Sequence, residues 1–476
     1  MRWLEKLALF IAFSGAISAG AVILVANMAK LAPEWQLATT FFYAQGPNSA
    51  SASTLNQAIT PVEAEIVAPP APVMSANDDS QKFIRPFVIA KDNLLSSGEK
   101  FVVVNFFAKN IELYEGGALV ATTSVRALGD PQGWGGTPAG LYNVLDKSER
   151  AFSASAEAYM PNALHFYGKY YIHGEPYYAS GRKLGADVSG GCVQLADSEA
   201  PNFFAQVDQN VPVLAVDKPA DDFVYPSGAK TVLPNISAKS FLVADLDSGE
   251  IIADQDSTKV FPIASITKLM TAVVVAEHID LRRNIEIEPK DLEAFGDTAG
   301  LDLEKSFRVV ELFYPLLIES SNDTAEVVAR FLGREATIDL MNEKAERLFM
   351  TDTRYADVSG FDVKNTSTAR DLYLLGRYIK NNRRPILDIT KGKAVTSFGP
   401  VRFDVRQMEN KNEFAKGADF IGGKSGYLDE AKNTGLFMFK IKVAGEEREV
   451  AIVVLKSEHL KKDVEVLKGW VERNYK

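Results

Sequence analysis

SITKLMTAVVVAEHI, Ser265–Ile279, is an uninterrupted helical run with a hydroxyl at its first residue and an amine three residues on. Residues three apart share a helix face, so Lys268 can lie beside Ser265 and take its proton. A serine is a weak nucleophile at its ordinary pKa and needs such a base. Lysine serves only if burial or a neighbouring cation lowers its own pKa. The same Ser-x-x-Lys spacing recurs at Ser97–Lys100, Ser180–Lys183 and Ser227–Lys230. Those three contain glycine, sit in loop-like sequence, and read as solvated loop polars.

Two stretches downstream fit the same chemistry. Ser320-Ser321-Asn322 follows the apolar Leu312–Ile318 and precedes a second helical pattern, Ser321–Leu332, closed by Gly333. A hydroxyl and an amide there can shuttle a proton and orient a substrate amide. Lys424-Ser425-Gly426 follows Ile421-Gly422-Gly423 and reads as a strand edge. An ammonium and a hydroxyl there can hold a terminal carboxylate, and glycine lets backbone approach closely. Around these elements, Phe241–Leu246 and Glu250–Ala253 flank Asp247-Ser248-Gly249 as a hairpin, and Leu436–Val443 and Glu449–Leu455 flank Gly445. An amphipathic helix runs from about Glu458 to the end. Strands, then helices, then strands and a helix predict an α+β domain with helices around an antiparallel sheet.

Pro262–Thr271, Ser320–Ala325 and Lys424–Tyr427 together resemble the nucleophile, SxN and KTG motifs of the D-alanyl-D-alanine carboxypeptidases, the low-molecular-mass penicillin-binding proteins. Ser425 replaces the usual threonine and keeps the hydroxyl. Asp357–Phe361 (DVSGF) and Ser367–Asp371 (STARD) also fit, and the resemblance covers about residues 236–455. It implies a β-lactamase-like fold, Ser265 as nucleophile, Lys268 as general base and Ser320 as proton relay. Asn322 would bind the substrate peptide, and Lys424, Ser425 and Gly426 its terminal carboxylate region. The amides of Ser265 and Tyr427 would form the oxyanion hole. β-Lactams would acylate Ser265.

Upstream, Phe101–Val216 is β-rich, with strand candidate Phe101–Phe107 and a hairpin of Ile111–Tyr114 and Ala118–Val125 around Glu115-Gly116-Gly117. It holds the sole cysteine, Cys192, in Ser189-Gly190-Gly191-Cys192, and His173 before Gly174. A thiolate nucleophile needs a base or a positive neighbour, and consecutive glycines leave N–H groups free for an oxyanion; equally, a lone cysteine can be a small core hydrophobe. Thr137–Tyr142 (TPAGLY), Met160-Pro161, His173-Gly174 and Ser189–Cys192 resemble the L,D-transpeptidase catalytic domain of the YkuD type. That resemblance implies Cys192 as nucleophile and His173 as base, with Ser189, Gly190 and Gly191 lining the substrate. The family has histidine where Gly190 stands and arginine, expected to bind a substrate carboxylate, where Gln194 stands.

At the N-terminus Arg2 and Lys6 precede Leu7–Met28, an uncharged, mostly apolar run long enough for one transmembrane helix. Positive charge ahead of it keeps the N-terminus inside and the rest outside. Ala19-Gly20-Ala21 has the look of a signal-peptide cleavage site, but Val22–Val25 continue the apolar run and favour an uncleaved anchor. Both readings export the chain, and the uncleaved anchor would hold it at the membrane with its catalytic domains outside. The expected organisation is an anchor over 1–30, an Ala/Pro/Ser-rich linker over 31–95, and an L,D-transpeptidase-like domain over 96–217. A linker over 218–235 and the carboxypeptidase-like domain over 236–476 follow. A net charge of −10 argues against nucleic acid. The four histidines show no paired metal spacing, so neither metal nor another cofactor is expected.

The reading is an α+β multidomain, exported enzyme acting on peptidoglycan stem peptides. The serine site would trim a terminal D-alanine, and the cysteine domain would use the resulting tetrapeptides for crosslinking. A D,D-endopeptidase with the same residues, or a membrane-tethered wall-binding protein with an inactive cysteine domain, are the alternatives.

Overall fold

The computed structural model describes residues 84–475, apart from 186–188, 227–231, 294–300, 302 and 304. The anchor segment Leu7–Met28 lies outside the described residues. Among those described, no helix is long and apolar enough to cross a membrane.

The chain enters through α1 (Pro86–Ser97), which starts on a proline and ends at Gly98 in the left-handed conformation. This helix occupies the end of the stretch read as linker, because Ala90 and Leu94 bury against Phe101, Leu141 and Leu214. Then follow β1 (Phe101–Asn105), β2 (Asn110–Glu115), β3 (Ala118–Ala127), β4 (Gly140–Asn143), β5 (Asp146–Ser153), β6 (Ala158–Tyr167), β7 (Tyr170–His173), β8 (Val193–Leu195), α2 (Ala200–Gln206) and β9 (Pro212–Val216). Their strands form one nine-stranded sheet in the order β4-β9-β1-β2-β3-β8-β7-β6-β5. β7 and β8 pair in parallel, with Ile172 opposite Val193 and His173 opposite Gln194. Side chains alternate across a strand. Ile172 and Val193 therefore enter the core with Leu164 and Phe166, while Tyr171 and Cys192 share the opposite face with Met160 and Ala163.

The second half comprises β10 (Ser240–Asp245), β11 (Ile251–Gln255), β12 (Phe261–Pro262), α3 (Thr267–His278), β13 (Asn284–Glu286), β14 (Ser306–Arg308), α4 (Val309–Leu317), α5 (Asn322–Leu332) and α6 (Arg334–Arg347). It continues with β15 (Thr366–Ser367), α7 (Ala369–Asn382), α8 (Arg384–Thr390), β16 (Phe420–Leu428), β17 (Lys432–Val443), β18 (Glu446–Ser457) and α9 (Leu460–Asn474). An antiparallel sheet runs β11-β10-β18-β17-β16. Alternation splits it into two cores. Leu242, Ala244, Leu436, Met438 and Val453 face the central helices, and Phe241, Val243, Phe437 and Val454 face Val464, Leu467 and Trp470 of α9. This is the α+β arrangement expected, with helices on both faces of an antiparallel sheet.

The two halves share a buried seam. Trp134, from the first half, lies against Phe313 of α4 with ring centroids 5.2 Å apart. Glu277, Lys344 and Arg383 are all fully buried there. Glu277 pairs with Lys344 at 3.0 Å and with Arg383 at 2.9 Å. The first half completes the network: Lys344 donates to Tyr142 Oη at 2.9 Å, and Arg383 to Tyr170 Oη at 2.8 Å and to the Gly136 carbonyl at 2.6 Å.

Candidate active site

Ser265 occupies a 3₁₀ turn, Ala264–Ile266, that runs directly into α3. Ala264 has φ +46° and Ser320 φ +63°. Such left-handed non-glycine backbone is costly and persists where surrounding packing enforces it. The packing here is close. A Cβ on Gly426 would lie 2.7 Å from the Ser265 nitrogen, and one on Gly360 would lie 1.9 Å from the Ala264 carbonyl oxygen. The edge strand β16 and the 357–361 loop thus grip the Ser265 turn from two sides, which explains glycine at both positions.

Lys268 is fully buried. Its Nζ lies 3.1 Å from Ser265 Oγ, 2.6 Å from Asn322 Oδ1 and 2.6 Å from the Ser359 carbonyl. Burial first, and the neighbouring Lys424 second, hold its pKa well below the ordinary lysine value, which favours the neutral amine. A neutral amine has two hydrogens and one lone pair. Asn322 Oδ1 and the Ser359 carbonyl are pure acceptors and take the hydrogens. The lone pair is left for the Ser265 hydroxyl, which is the disposition a general base requires.

The Ser359 carbonyl is aimed by Asp357. That buried carboxylate accepts from the backbone N–H of Ser359 (3.0 Å), Gly360 (2.6 Å) and Asp362 (2.6 Å), and from Asn365 Nδ2 (2.8 Å). Asn365 also donates to Thr267 Oγ1 at 3.0 Å, which ties the loop to the first turn of α3. The DVSGF stretch is therefore a support for Lys268, a role its sequence does not announce. The STARD stretch is structural: Thr368 Oγ1 caps α7 by accepting from the Asp371 amide at 3.1 Å.

Ser265, Ser320, Lys424, Ser425, Gly426 and Tyr427 all line one open cavity of about 700 Å³. Asn322 reaches the site through Lys268. Lys424 is buried, and burial lowers its pKa to about 7; its Nζ donates to the Ser425 carbonyl at 2.7 Å. Tyr427 is exposed and its hydroxyl donates to Asp429. The far wall is the start of α9, with His459, Lys461 and Lys462, and Lys411 and Glu413 stand beside it. Sequence reasoning missed this wall, since nothing in a terminal amphipathic helix points to a site built around Ser265, far upstream in the chain.

The cysteine site is assembled differently. Ser189 Oγ donates to the Cys192 carbonyl at 2.6 Å and accepts from the Gly191 amide at 3.2 Å, stapling the turn that carries Cys192. Gly191 has φ +115°, and a Cβ there would lie 2.3 Å from the Tyr170 ring. Around Gly190 the space is open within 4 Å. His173 is buried and its Nδ1 lies 2.6 Å from the Gly174 carbonyl. A carbonyl only accepts, so Nδ1 carries the proton and Nε2 is the basic nitrogen. Burial lowers the imidazole pKa to about 4, keeping it neutral. Cys192 Sγ donates to the Lys169 carbonyl at 3.8 Å and also meets the Tyr171 backbone; His173 lies on the same sheet face. Burial pushes the thiol up to about 11, so in this arrangement it is a thiol and not a thiolate.

Comparison with known proteins agrees with both halves. Residues 228–458 match the family described as D-alanyl-D-alanine carboxypeptidase, and residues 99–214 match the L,D-transpeptidase catalytic domain. The D-alanyl-D-alanine carboxypeptidase DacB2 of Mycobacterium tuberculosis is 32% identical over 222 residues, covering 45% of this chain and 74% of that protein. A D-alanyl-D-alanine endopeptidase of Haemophilus influenzae is 36% identical over 149 residues, 30% of this chain and 51% of that one; the chain thus spans about half of this second relative. Among solved structures, a D-alanyl-D-alanine carboxypeptidase from Mycobacterium tuberculosis aligns with 28% identity and a TM-score of 0.45, over 52% of this chain and 95% of that one.

Proposed function

Since this chain belongs to the D-alanyl-D-alanine carboxypeptidase family and also carries an L,D-transpeptidase catalytic domain, we propose that it is an exported, membrane-held peptidoglycan-remodelling enzyme with two acyl-transfer sites. The observation that carries the serine half is the triple contact of the Lys268 amine with Ser265, Asn322 and Ser359. Ser265 Oγ attacks the carbonyl of the penultimate D-alanine as Lys268 takes its proton. The amides of Ser265 and Tyr427 receive the developing oxyanion. Ser320 passes the proton to the departing D-alanine amine, and water then releases the trimmed stem. Lys424 and Ser425 hold the terminal carboxylate. β-Lactams would acylate the same serine.

The cysteine half takes the tetrapeptide that this trimming leaves. His173 Nε2 accepts the Cys192 proton when a donor stem displaces the thiol from the Lys169 carbonyl. Crosslinked substrate is a second reading for the serine site, supported by the endopeptidase relative and by a cavity that continues past Ser265 to α9.

The test is mass spectrometry of products from monomeric pentapeptide and D,D-crosslinked muropeptides, comparing the parent chain with Ser265→Ala and Cys192→Ala. Loss of one D-alanine that needs Ser265, followed by new crosslinks that need Cys192, is the expected result. Cleavage of the crosslinked dimer alone would replace carboxypeptidase with endopeptidase. No Ser265-dependent product from either substrate would overturn the assignment in favour of a wall-binding protein.

A further inference from the structure

The helix that begins at the serine nucleophile ends in the cysteine domain. The last carbonyls of a helix lack intrahelical partners and must find others. At the C-terminal end of α3, the partner comes from the β6–β7 turn, Gly168-Lys169. Lys169 Nζ donates to the Ala276 carbonyl at 2.9 Å and to the Ile279 carbonyl at 3.1 Å. Gly168 has φ +48° and sits so close that a Cβ would lie 2.9 Å from the Glu277 carbonyl oxygen. Tyr167 packs edge-on against His278, with centroids 5.1 Å apart. A cation at this end also complements the helix dipole. The Lys169 backbone carbonyl meanwhile accepts from Cys192 Sγ.

We infer that the cysteine domain is a working part of the serine site, and that Lys169 is a positioning residue for acylation of Ser265. The inference rests on the reading of Ser265 as the nucleophile. Its physical basis is that α3 is stiff and tightly held. Every residue from Thr267 to Glu277 is buried, and at about 1.5 Å per residue the helix is a rod roughly 18 Å long. Its leading end is gripped between Gly426 and Gly360 with no spare clearance. A shift allowed at the trailing end is therefore delivered to Ser265 and Lys268, where a displacement of about 1 Å can cost on the order of a hundredfold in rate.

The experiment uses the full chain with Lys169→Met, Lys169→Gln and Lys169→Arg. The control is Lys147→Met. Lys147 donates to the Phe204 carbonyl of α2 at 2.9 Å, a comparable helix-end contact inside the cysteine domain and remote from α3. Two readouts are taken: the second-order rate of Ser265 labelling by a fluorescent penicillin, and hydrogen–deuterium exchange of the peptide spanning 267–278. Lys169→Met is expected to slow labelling about tenfold or more and to speed exchange along α3, with Lys169→Gln intermediate and Lys169→Arg restoring most of the rate. Lys147→Met is expected to lower the melting temperature and leave labelling unchanged. Labelling of folded Lys169→Met within twofold of the parent, or equal slowing by Lys147→Met, would overturn the inference. Should Lys169→Met not fold, Lys169→Gln labelling at the parent rate would do the same. A parent chain that takes no label at Ser265 would sink the nucleophile assignment instead, and unchanged α3 exchange in Lys169→Gln would then still refute the cap.

Discussion

Replacing Asp357 tests whether Lys268 is positioned from behind. Asp357→Ala removes one buried acceptor from four donors, the amides of Ser359, Gly360 and Asp362 and the side chain of Asn365. Each buried donor left unmade costs about 1–3 kcal/mol, reduced where water enters the gap. A net loss of about 3 kcal/mol lowers the melting temperature by roughly 6–12 °C for a domain of this size. The catalytic consequence is separate. Without Asp357 the 357–361 loop no longer presents the Ser359 carbonyl 2.6 Å from Lys268 Nζ. The amine then has one pure acceptor instead of two and is free to rotate its lone pair away from Ser265. Misplacement on that scale costs about a hundredfold in acylation rate. Asp357→Asn keeps one acceptor oxygen but sets an NH₂ against the amide at either Asp362 or the Ser359–Gly360 pair, so its effect should fall between. The assay is penicillin acylation measured at least 15 °C below each variant's own melting point. If folded Asp357→Ala acylates within threefold of the parent, the Ser359 carbonyl is not what orients Lys268, and the lone-pair argument fails.

Gly426→Ala should lower acylation at least about a hundredfold, because its Cβ would sit 2.7 Å from the Ser265 nitrogen; near-normal labelling kinetics would show that β16 gives way. Glu277→Gln leaves Lys344 and Arg383 buried with one carboxylate charge fewer, a loss of about 3–5 kcal/mol. Denaturant unfolding should show that loss, and a change under 1 kcal/mol would demote the seam. Lys424 titrates near 7, so kcat/KM for a carboxylate-ended substrate should fall as pH rises above about 7, and Lys424→Arg should move that limb upward. Folded Lys344 and Lys424, near 8 and 7, bind their protons less tightly than in the unfolded chain. Their contribution to stability is present above about pH 10.4 and is lost as pH falls through 8 and 7. Melting temperature should accordingly be lower at pH 6.5 than at pH 9, and the opposite trend would contradict both shifts.

Much of this was legible because the decisive signals are local. Ser265–Lys268 is one helix turn, Ser321 caps α5 by accepting from the Thr324 amide, and Lys424–Tyr427 lies on an edge strand as its glycines suggested. The hairpins around Ser248 and Gly445 were equally readable, since turn residues sit between alternating strands. What escaped was contact across long sequence separation. Lys268 to Ser359 spans 91 residues, Lys169 to Ala276 spans 107, and Lys344 to Tyr142 spans 202. No periodicity encodes such pairs. Helix α6, which carries Lys344, is rich in charged residues, yet Lys344 is fully buried because its ammonium is taken up by Glu277 and two tyrosines. Helix α1 falls in the stretch assigned to the linker because it follows a proline-rich segment, and docking on Leu141 and Leu214 makes its Ala90 and Leu94 core.

The seam also changes how two activities on one chain would cooperate. A flexible tether raises the local concentration of one site's product at the other and lets the sites reorient toward each other. Here Arg383, Lys344 and Glu277 are fully buried between the halves, and breaking such a set by removing one partner is strongly unfavourable. Reorientation is thereby opposed by the same ion pairs that hold the halves together. Ser265 stands at one end of α3, a helix roughly 18 Å long, and Cys192 touches the Gly168-Lys169 turn that caps its other end. Under the proposed function, cooperation would pass through substrate: a stem trimmed at Ser265 would be re-presented to Cys192, or a neighbouring stem on the same polymer would already lie there. The fixed geometry favours the polymer over the free peptide, because two sites at constant spacing gain most from a ligand that spans them both.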